Sequence, residues 1–383
     1  MEHALTADTG GDRATRVPFV DLGPVTRPVS AAVLSELNEL MGAGAFVNGP
    51  PVREFEESFA SFCGRAHCVG VANGLDALRL ALAALSVGPG DEVVVPAMTF
   101  VATFEAVAQV GATPVPVDVR EDDSGLDPDA AEAALTSRTR ALLPVHLYGQ
   151  MADMRRIGEI ARRHDVVVVE DAAQAHGAAR DGLRAGACGE AGAFSFYPSK
   201  NLGAMGDAGA LVTDDARVAE HVRALREHGE TGKYRSEYVG YTSRLDALQA
   251  VVLSHKLPLL EAWNDERREA AAAYGRLLAG TGDLRLPETA PGALHAWHLY
   301  TIRTAEPERL AAHLTDQGIA TGRHYPEPPH LSGAFASLGY GTGSFPVAEA
   351  IARETLSLPL FPGITEEQTA RVASAIEAFF AGD

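Results

Sequence analysis

The chain of 383 residues holds only three cysteines, Cys63, Cys68 and Cys188, and no C-x-x-C pair. With 46% hydrophobic residues it can bury a core without cross-links, so the three are expected as small buried apolar residues and the compartment as a reducing cytoplasm. Positive charge is also scarce. Lys and Arg number 32 against 51 Asp and Glu, a formal charge of -19, which argues against non-specific binding to DNA, RNA or an anionic membrane. Any phosphate-bearing ligand must then be held by local geometry. No apolar run approaches a membrane-spanning length, and the opening MEHALTADTGGDRATR lacks the apolar stretch of a signal peptide. Residues 1–16 are expected to form a disordered tail.

Several catalytic signatures are missing too. Neither GAGAF near 44 nor GYGTGS near 341 follows a strand and opens a helix as a dinucleotide fingerprint must, and GETGKY lacks P-loop spacing. There is no G-x-S-x-G elbow. His295 with His298, and His324 with His330, have no carboxylate or cysteine spacing to complete a metal site, so core or pocket histidines are the expectation.

What is present is alternation. HCVGVA, DEVVVPA, ATPVPVDV, TRALLPVHLYG and DVVVVED read as strands, interleaved with helical patterns such as GLDALRLALAALS, FVATFEAVAQVG and MADMRRIGEIARRH. This order predicts an α/β fold, a mostly parallel sheet with helices on both faces. After GALVTDD the pattern gives a helix over 215–228 and a polar loop, GETGKYRSEYVGYTS; from about 245 a long helical stretch runs to 280, followed by the strand HLYTIRT and helices near 307–317 and 365–380. The organisation expected is a large domain over 17–255 and a smaller α+β domain over 256–383.

Ligands of open α/β sheets gather beyond the carboxyl ends of the strands, and three features fall there. In VANGLDALRLAL a strand ends at Asn73 and Gly74 and a helix begins at once, exposing free N–H groups to an anion, a plain strand-to-helix turn with an Asp cap being the alternative. In VVVVEDAAQAHGA an apolar strand ends in Glu170 and Asp171, followed by Gln174 and His176; a carboxylate there needs a cation or several donors to stay ionised, a helix cap or a structural hydrogen bond being the alternative role for Asp171. In AFSFYPSKNLGAMGDAGALVT, Ser195 ends a strand and Lys200 sits in a turn between two apolar runs. A buried ammonium is unfavourable unless paired or neutralised. An anion cradle, a strand-end carboxylate and a sequestered amine together match pyridoxal phosphate: donors for its phosphate, an anion for its pyridine nitrogen, and an amine for its aldehyde. Storage of Lys200 as a Schiff base would remove the burial penalty. Phe100, in MTFVATF, is placed to stack on the ring, with a core phenylalanine as the plainer alternative.

The segments EDAAQAHGA, FSFYPSKNLGAMGDAGALVT and GYTSRLDALQAVVL resemble those of the DegT/StrS family of nucleotide-sugar aminotransferases, and the resemblance runs from about residue 17 to the C-terminus. VANGLDALRLAL, LHAWHLYTIRT, RHYPEPPHL, ASLGY and FPVAEAIARETLSLPLFPG look most like the members that aminate carbon 3 of dTDP-3-keto-6-deoxyhexoses. The resemblance implies fold-type I, with a mostly parallel seven-stranded sheet, and a pyridoxal 5'-phosphate enzyme that transfers an amino group from L-glutamate to a nucleotide-linked keto sugar. It implies that Lys200 anchors the cofactor, Asp171 pairs with the pyridinium, and Gln174 reaches the phenolic oxygen. Ser195 with Gly74 and Leu75 would hold the phosphate. It further implies a homodimer in which a G-x-N-x-R loop reaches the neighbour's phosphate; here Thr242 replaces the asparagine, and a shorter hydroxyl puts that contact in question. Arg244 stands near the site in the family pattern, a structural ion pair being the alternative. Tyr197, Lys233, Arg323, His324 and Tyr325 are candidate sugar-nucleotide contacts, solvated surface charge being the alternative for the cations. Relatives with histidine at the lysine position are dehydratases; Lys200 favours transamination. The other readings are amination at carbon 4 or of a cyclitol ketone, and a cofactor-binding regulatory protein without turnover.

Overall fold

The computed structural model describes residues 16–382, so the tail expected over 1–16 lies, but for Arg16, outside the described residues. Seven strands form the central sheet: β1 (His67–Val71), β2 (Glu92–Pro96), β3 (Thr113–Val117), β4 (Thr139–Leu142), β5 (Val167–Asp171), β6 (Ala191–Ser195) and β7 (Gly209–Thr213). Their spatial order is β1-β7-β6-β5-β4-β2-β3. All share one direction except β7, which runs antiparallel to both β1 and β6. The near-continuous valine runs of β2 and β5 are buried, as expected for strands covered on both faces. One core lies between the sheet and helices that include Pro50–Cys63 and Ala247–Lys256; the other, on the opposite face, includes Leu78, Leu80 and Leu82 of the helix Gly74–Ala84 and Phe104 of Ala102–Gln109.

A third core joins Val17 to Tyr274, Leu310, Leu356, Val372 and Ile376, around a two-stranded antiparallel sheet of Tyr300–Arg303 and Thr355–Leu358. Two expectations are corrected. The strand read over TRALLPVHLYG ends at Leu142, because Pro144 cannot extend a ladder and Tyr148 adopts a left-handed φ of 59°. The polar stretch near 240 contains a short hairpin of Glu230–Gly232 and Arg235–Ser236 rather than loop alone. No described helix is long and apolar enough to cross a membrane.

Candidate active site

The C-terminal ends of β1, β2, β5 and β6 converge with the start of the reversed β7. Asn73 Oδ1 accepts the N–H of Asp76 at 2.8 Å and caps the helix Gly74–Ala84. The N–H groups of Gly74 and Leu75 are thereby left as first-turn donors with no intrahelical acceptor. Packing there is tight: a Cβ on Gly74 would lie 2.7 Å from Ser195 Cβ, and one on Gly209 would collide with the Asn73 carbonyl. Ser195 is opposite Gly209 in the ladder. Asp76, the acid of this first turn, is engaged by Arg79 and by the Ser243 hydroxyl, both at 2.6 Å.

The chain crosses from β6 to β7 through the turn that carries Lys200. The Lys200 N–H donates to the Tyr197 carbonyl and the Ala204 N–H to the Phe196 carbonyl, both at 2.8 Å. Helix Ala247–Lys256 braces this turn twice: Lys256 Nζ donates to the Gly203 carbonyl at 2.7 Å, and Gln249 Oε1 accepts from the Met205 N–H at 2.8 Å. Part of the Lys200 side chain stays accessible, but burial of the ammonium outweighs the opposing pull of the Asp171 carboxylate and lowers its pKa to about 8.

Strand alternation explains why the adjacent acids of β5 differ. Glu170, fully buried, accepts backbone N–H groups of Gly186, Cys188 and Gly189 and lies 2.9 Å from His146 Nε2. The His146 Nδ1 accepts from the Ala152 N–H, so Nε2 carries the hydrogen and donates to Glu170. Glu170 is a scaffold group. Asp171 shares the opposite face with the Lys200 side: Thr103 Oγ1 donates to its Oδ2 at 2.9 Å and the Ala173 N–H to its Oδ1 at 3.2 Å. Burial raises the Asp171 pKa, while the Thr103 and Ala173 bonds and the Lys200 charge oppose the rise.

Around this pair stand Gln174, Tyr325, Tyr148 and Phe100. Gln174 Oε1 accepts the Tyr148 N–H at 2.7 Å and its Nε2 donates to Tyr325 Oη at 2.9 Å, leaving one amide hydrogen for a ligand. Phe100 is not a core residue; it is 41% exposed, with its ring 5.3 Å from that of Tyr325. His324 stacks on Phe19 and bonds Ser357 Oγ at 2.8 Å. Burial and the Lys200 charge bring its pKa down to about 4. Tyr197 is half-buried in the lysine turn.

The remaining candidates are not gathered with Lys200 in this chain. Arg323 is committed to Glu308 and to the carbonyls of Ala352 and Arg353, which leaves it a structural cation rather than a free diphosphate ligand. Arg244 Nε bonds both oxygens of Glu227, the ion-pair alternative. Thr242 is exposed beside His228, and Lys233 is exposed over Tyr234 in the hairpin. His295 stacks on Trp297 at 3.8 Å, and no group of three or more metal-ligating side chains occurs among the described residues. Thr103, His146, Asn201 and Ser243 were not singled out for roles at this site from the sequence, whereas His298 was read as a core or pocket histidine. Thr103 carried a usable signal, lying one helical turn beyond Phe100.

The residues fit pyridoxal 5'-phosphate. Burial brings the pKa of the amine down to about 8, Asp171 retains acceptor capacity beyond its two bonds, and the glycine-walled turn at Gly74 presents two free donors beside the Ser195 hydroxyl.

The model of the DegT/DnrJ/EryC1/StrS aminotransferase family matches residues 29–377. The dTDP-3-amino-3,4,6-trideoxy-alpha-D-glucose transaminase of Streptomyces venezuelae is 48% identical over 361 residues, 94% of this chain and 95% of the relative. Among solved structures, S. venezuelae DesV in complex with a ketimine intermediate superimposes with a TM-score of 0.93 at 48% identity, covering 95% of this chain and 98% of that one. The Bacillus subtilis NtdA structure with bound cofactor PMP gives 0.89 at 30% identity, covering 97% of this chain and 86% of that one.

Proposed function

The chain belongs to the DegT/DnrJ/EryC1/StrS aminotransferase family, and from that premise we propose that it aminates carbon 3 of a dTDP-3-keto-6-deoxyhexose. L-Glutamate is the donor, and the products are a dTDP-3-amino-3,6-dideoxyhexose and 2-oxoglutarate. The observation that carries this reading is the buried amine of Lys200, with its pKa near 8, beside the carboxylate of Asp171. The support for carbon 3 is the identity to a transaminase of that regiochemistry.

When bound, pyridoxal 5'-phosphate would supply the electron sink that amino-group transfer needs. Lys200 would anchor it and would serve as general base toward the donor's α-proton; a pKa near 8 leaves about a tenth of the amine neutral at pH 7. Asp171, whose ionised form is favoured by the Thr103 and Ala173 bonds against burial, would face the positive charge of the heterocycle. The N–H groups of Gly74 and Leu75 and the Ser195 hydroxyl would hold the phosphate, Gln174 would donate its remaining amide hydrogen to the cofactor, and Phe100 would pack against its ring. Tyr197, His324 and Tyr325 line the path to the sugar. A homodimer completes the site, with Thr242 and Lys233 offered to the neighbouring copy. Tyr234 and Val239 support this, being 85% and 95% exposed around the hairpin, an apolar display that a partner would cover.

The test is incubation with 3-keto and 4-keto dTDP-sugars and [15N]glutamate, with NMR of the products. Nitrogen is expected at carbon 3; incorporation only at carbon 4 would refute the proposal, and cofactor binding without any turnover would favour a regulatory protein.

A further inference from the structure

We infer that Arg79 is a positioning residue for the phosphate cup: it neutralises the Asp76 carboxylate and holds it off the free N–H groups of Gly74 and Leu75. The inference rests on the reading of that cup as the site of the cofactor's phosphate. Asn73 caps the helix Gly74–Ala84, so Asp76 stands at its third position. An acidic side chain there is drawn to the positive helix end and can reach back toward the first backbone donors. A phosphate bound at the same end would meet that carboxylate as a like charge competing for the same N–H groups.

The side chains around Asp76 remove this conflict. Arg79, one turn further along the helix, donates from Nη2 to Asp76 Oδ1 at 2.6 Å, and the Ser243 hydroxyl donates to Oδ2 at 2.6 Å. Ser243 Oγ accepts the Ala72 N–H at 3.2 Å in turn, which anchors it to the end of β1. Both carboxylate oxygens are thus engaged by groups other than the cup's own donors. The acid and its cation are also no solvated surface pair: their side chains are only 15% and 16% accessible. Solvent therefore screens Asp76 weakly, and the charge of its partner counts.

Arg79 is itself fixed. Its guanidinium carbon lies 3.9 Å from the centre of the Tyr241 ring, a cation–π contact. Tyr241 is tied down on both sides, its N–H donating to the Leu225 carbonyl at 2.7 Å and its carbonyl accepting the His228 N–H at 2.8 Å. Arg79 Nε is buried without an acceptor, so the guanidinium is held where Asp76 and Tyr241 require it rather than where all its donors are satisfied. The geometry gives Arg79 to the acid beside the cup, not to the phosphate.

The test uses the full chain freed of cofactor with hydroxylamine. Absorbance titration measures the dissociation constants of pyridoxal 5'-phosphate and of pyridoxal, which carries the same ring and aldehyde without the phosphate. Arg79→Met leaves the Asp76 charge uncompensated. It should weaken the phosphorylated ligand about tenfold, the scale of one like charge several ångströms away in a partly buried site, and leave pyridoxal affinity unchanged. Adding Asp76→Asn removes the repulsion and should restore most of the loss. Equal weakening of both ligands would reduce Arg79 to packing, and a loss that Asp76→Asn fails to restore would make it a direct phosphate ligand; either result overturns the inference. Should Arg79→Met not fold, Asp76→Asn alone decides: with Arg79 left unpaired, the phosphorylated ligand should bind more tightly and pyridoxal as before, and absence of that gain refutes the inference. A native chain that binds both ligands alike would overturn the phosphate reading of the cup and this inference with it. A native preference for the phosphorylated ligand that survives Arg79→Met would overturn this inference alone.

Discussion

Thr103→Val removes one hydroxyl and nothing else of comparable size, and it should show how Asp171 stays charged. The native carboxylate is buried and receives two hydrogen bonds, from Thr103 Oγ1 at 2.9 Å and the Ala173 N–H at 3.2 Å. Burial alone raises its pKa, so each donor counts. A hydrogen bond to a charged group contributes about 1.5–3 kcal/mol; divided by about 1.4 kcal/mol per pH unit, its loss raises the Asp171 pKa by a further one to two units. Protonated Asp171 no longer faces the pyridine nitrogen as an anion. Cofactor affinity and kcat/KM should therefore match those of the native protein at high pH and fall away roughly tenfold to hundredfold as pH drops through the new pKa. The assay is cofactor titration by absorbance, with kcat/KM, from pH 5 to 9. Thr103→Ser keeps the hydroxyl and should keep the native profile. Parallel profiles offset by a constant factor would refute the reasoning, because they would mean that Thr103 affects packing alone; Thr99, which shares a hydrogen bond with Thr103 at 2.7 Å, makes such an offset a real possibility to exclude.

Lys200→Ala should eliminate the borohydride-stable adduct seen by intact mass and abolish transamination, whereas retained turnover would end the anchor role. Gly74→Ala would place a methyl group 2.7 Å from Ser195 Cβ, and should lower stability by about 1–3 kcal/mol in thermal melts while weakening cofactor retention in equilibrium dialysis. Lys256 is buried against a single carbonyl, and burial depresses its pKa from 10.5 to about 8. The unfolded chain then binds more protons between those values, so native stability should rise across pH 8 to 10.5, by up to about 3 kcal/mol from this group. Denaturant unfolding of Lys256→Met should lack that increment, and identical slopes in the two proteins would contradict the assignment. Glu170→Gln replaces an oxygen with an NH2 group facing backbone donors, and should cost about 3 kcal/mol or more in the same assay.

The strands and the pair Lys200 and Asp171 were legible because their signals are local: valine runs of the right length, an acid at a strand end, a lysine in a glycine-rich turn. The helices Ser30–Ala43 and Pro346–Glu354 were not read as such. The first buries only Val33 and Leu40 and exposes Leu34 and Met41, so its apolar periodicity is blurred. The pairings made by Thr103 and His298 were not legible for a different reason. Their partners, Asp171 and Asn201, lie 68 and 97 positions away, and no window of sequence spans such pairings. Arg323 and Arg244 show the reverse case: each stands in a suggestive motif as a candidate ligand, a surface charge or a structural ion pair being the alternative, and the fold supplies Glu308 and Glu227 as partners that the sequence does not name.

The division of labour within β5 limits how this protein can change. Because Glu170 and Asp171 occupy opposite sides of one ribbon, inserting or deleting a single residue upstream would turn the scaffold acid toward the chemistry and the chemical acid toward the loop 186–189. Neither job survives that exchange. Adjustment of the site's acidity has to come from side chains outside this strand, of which the Thr103 hydroxyl is one.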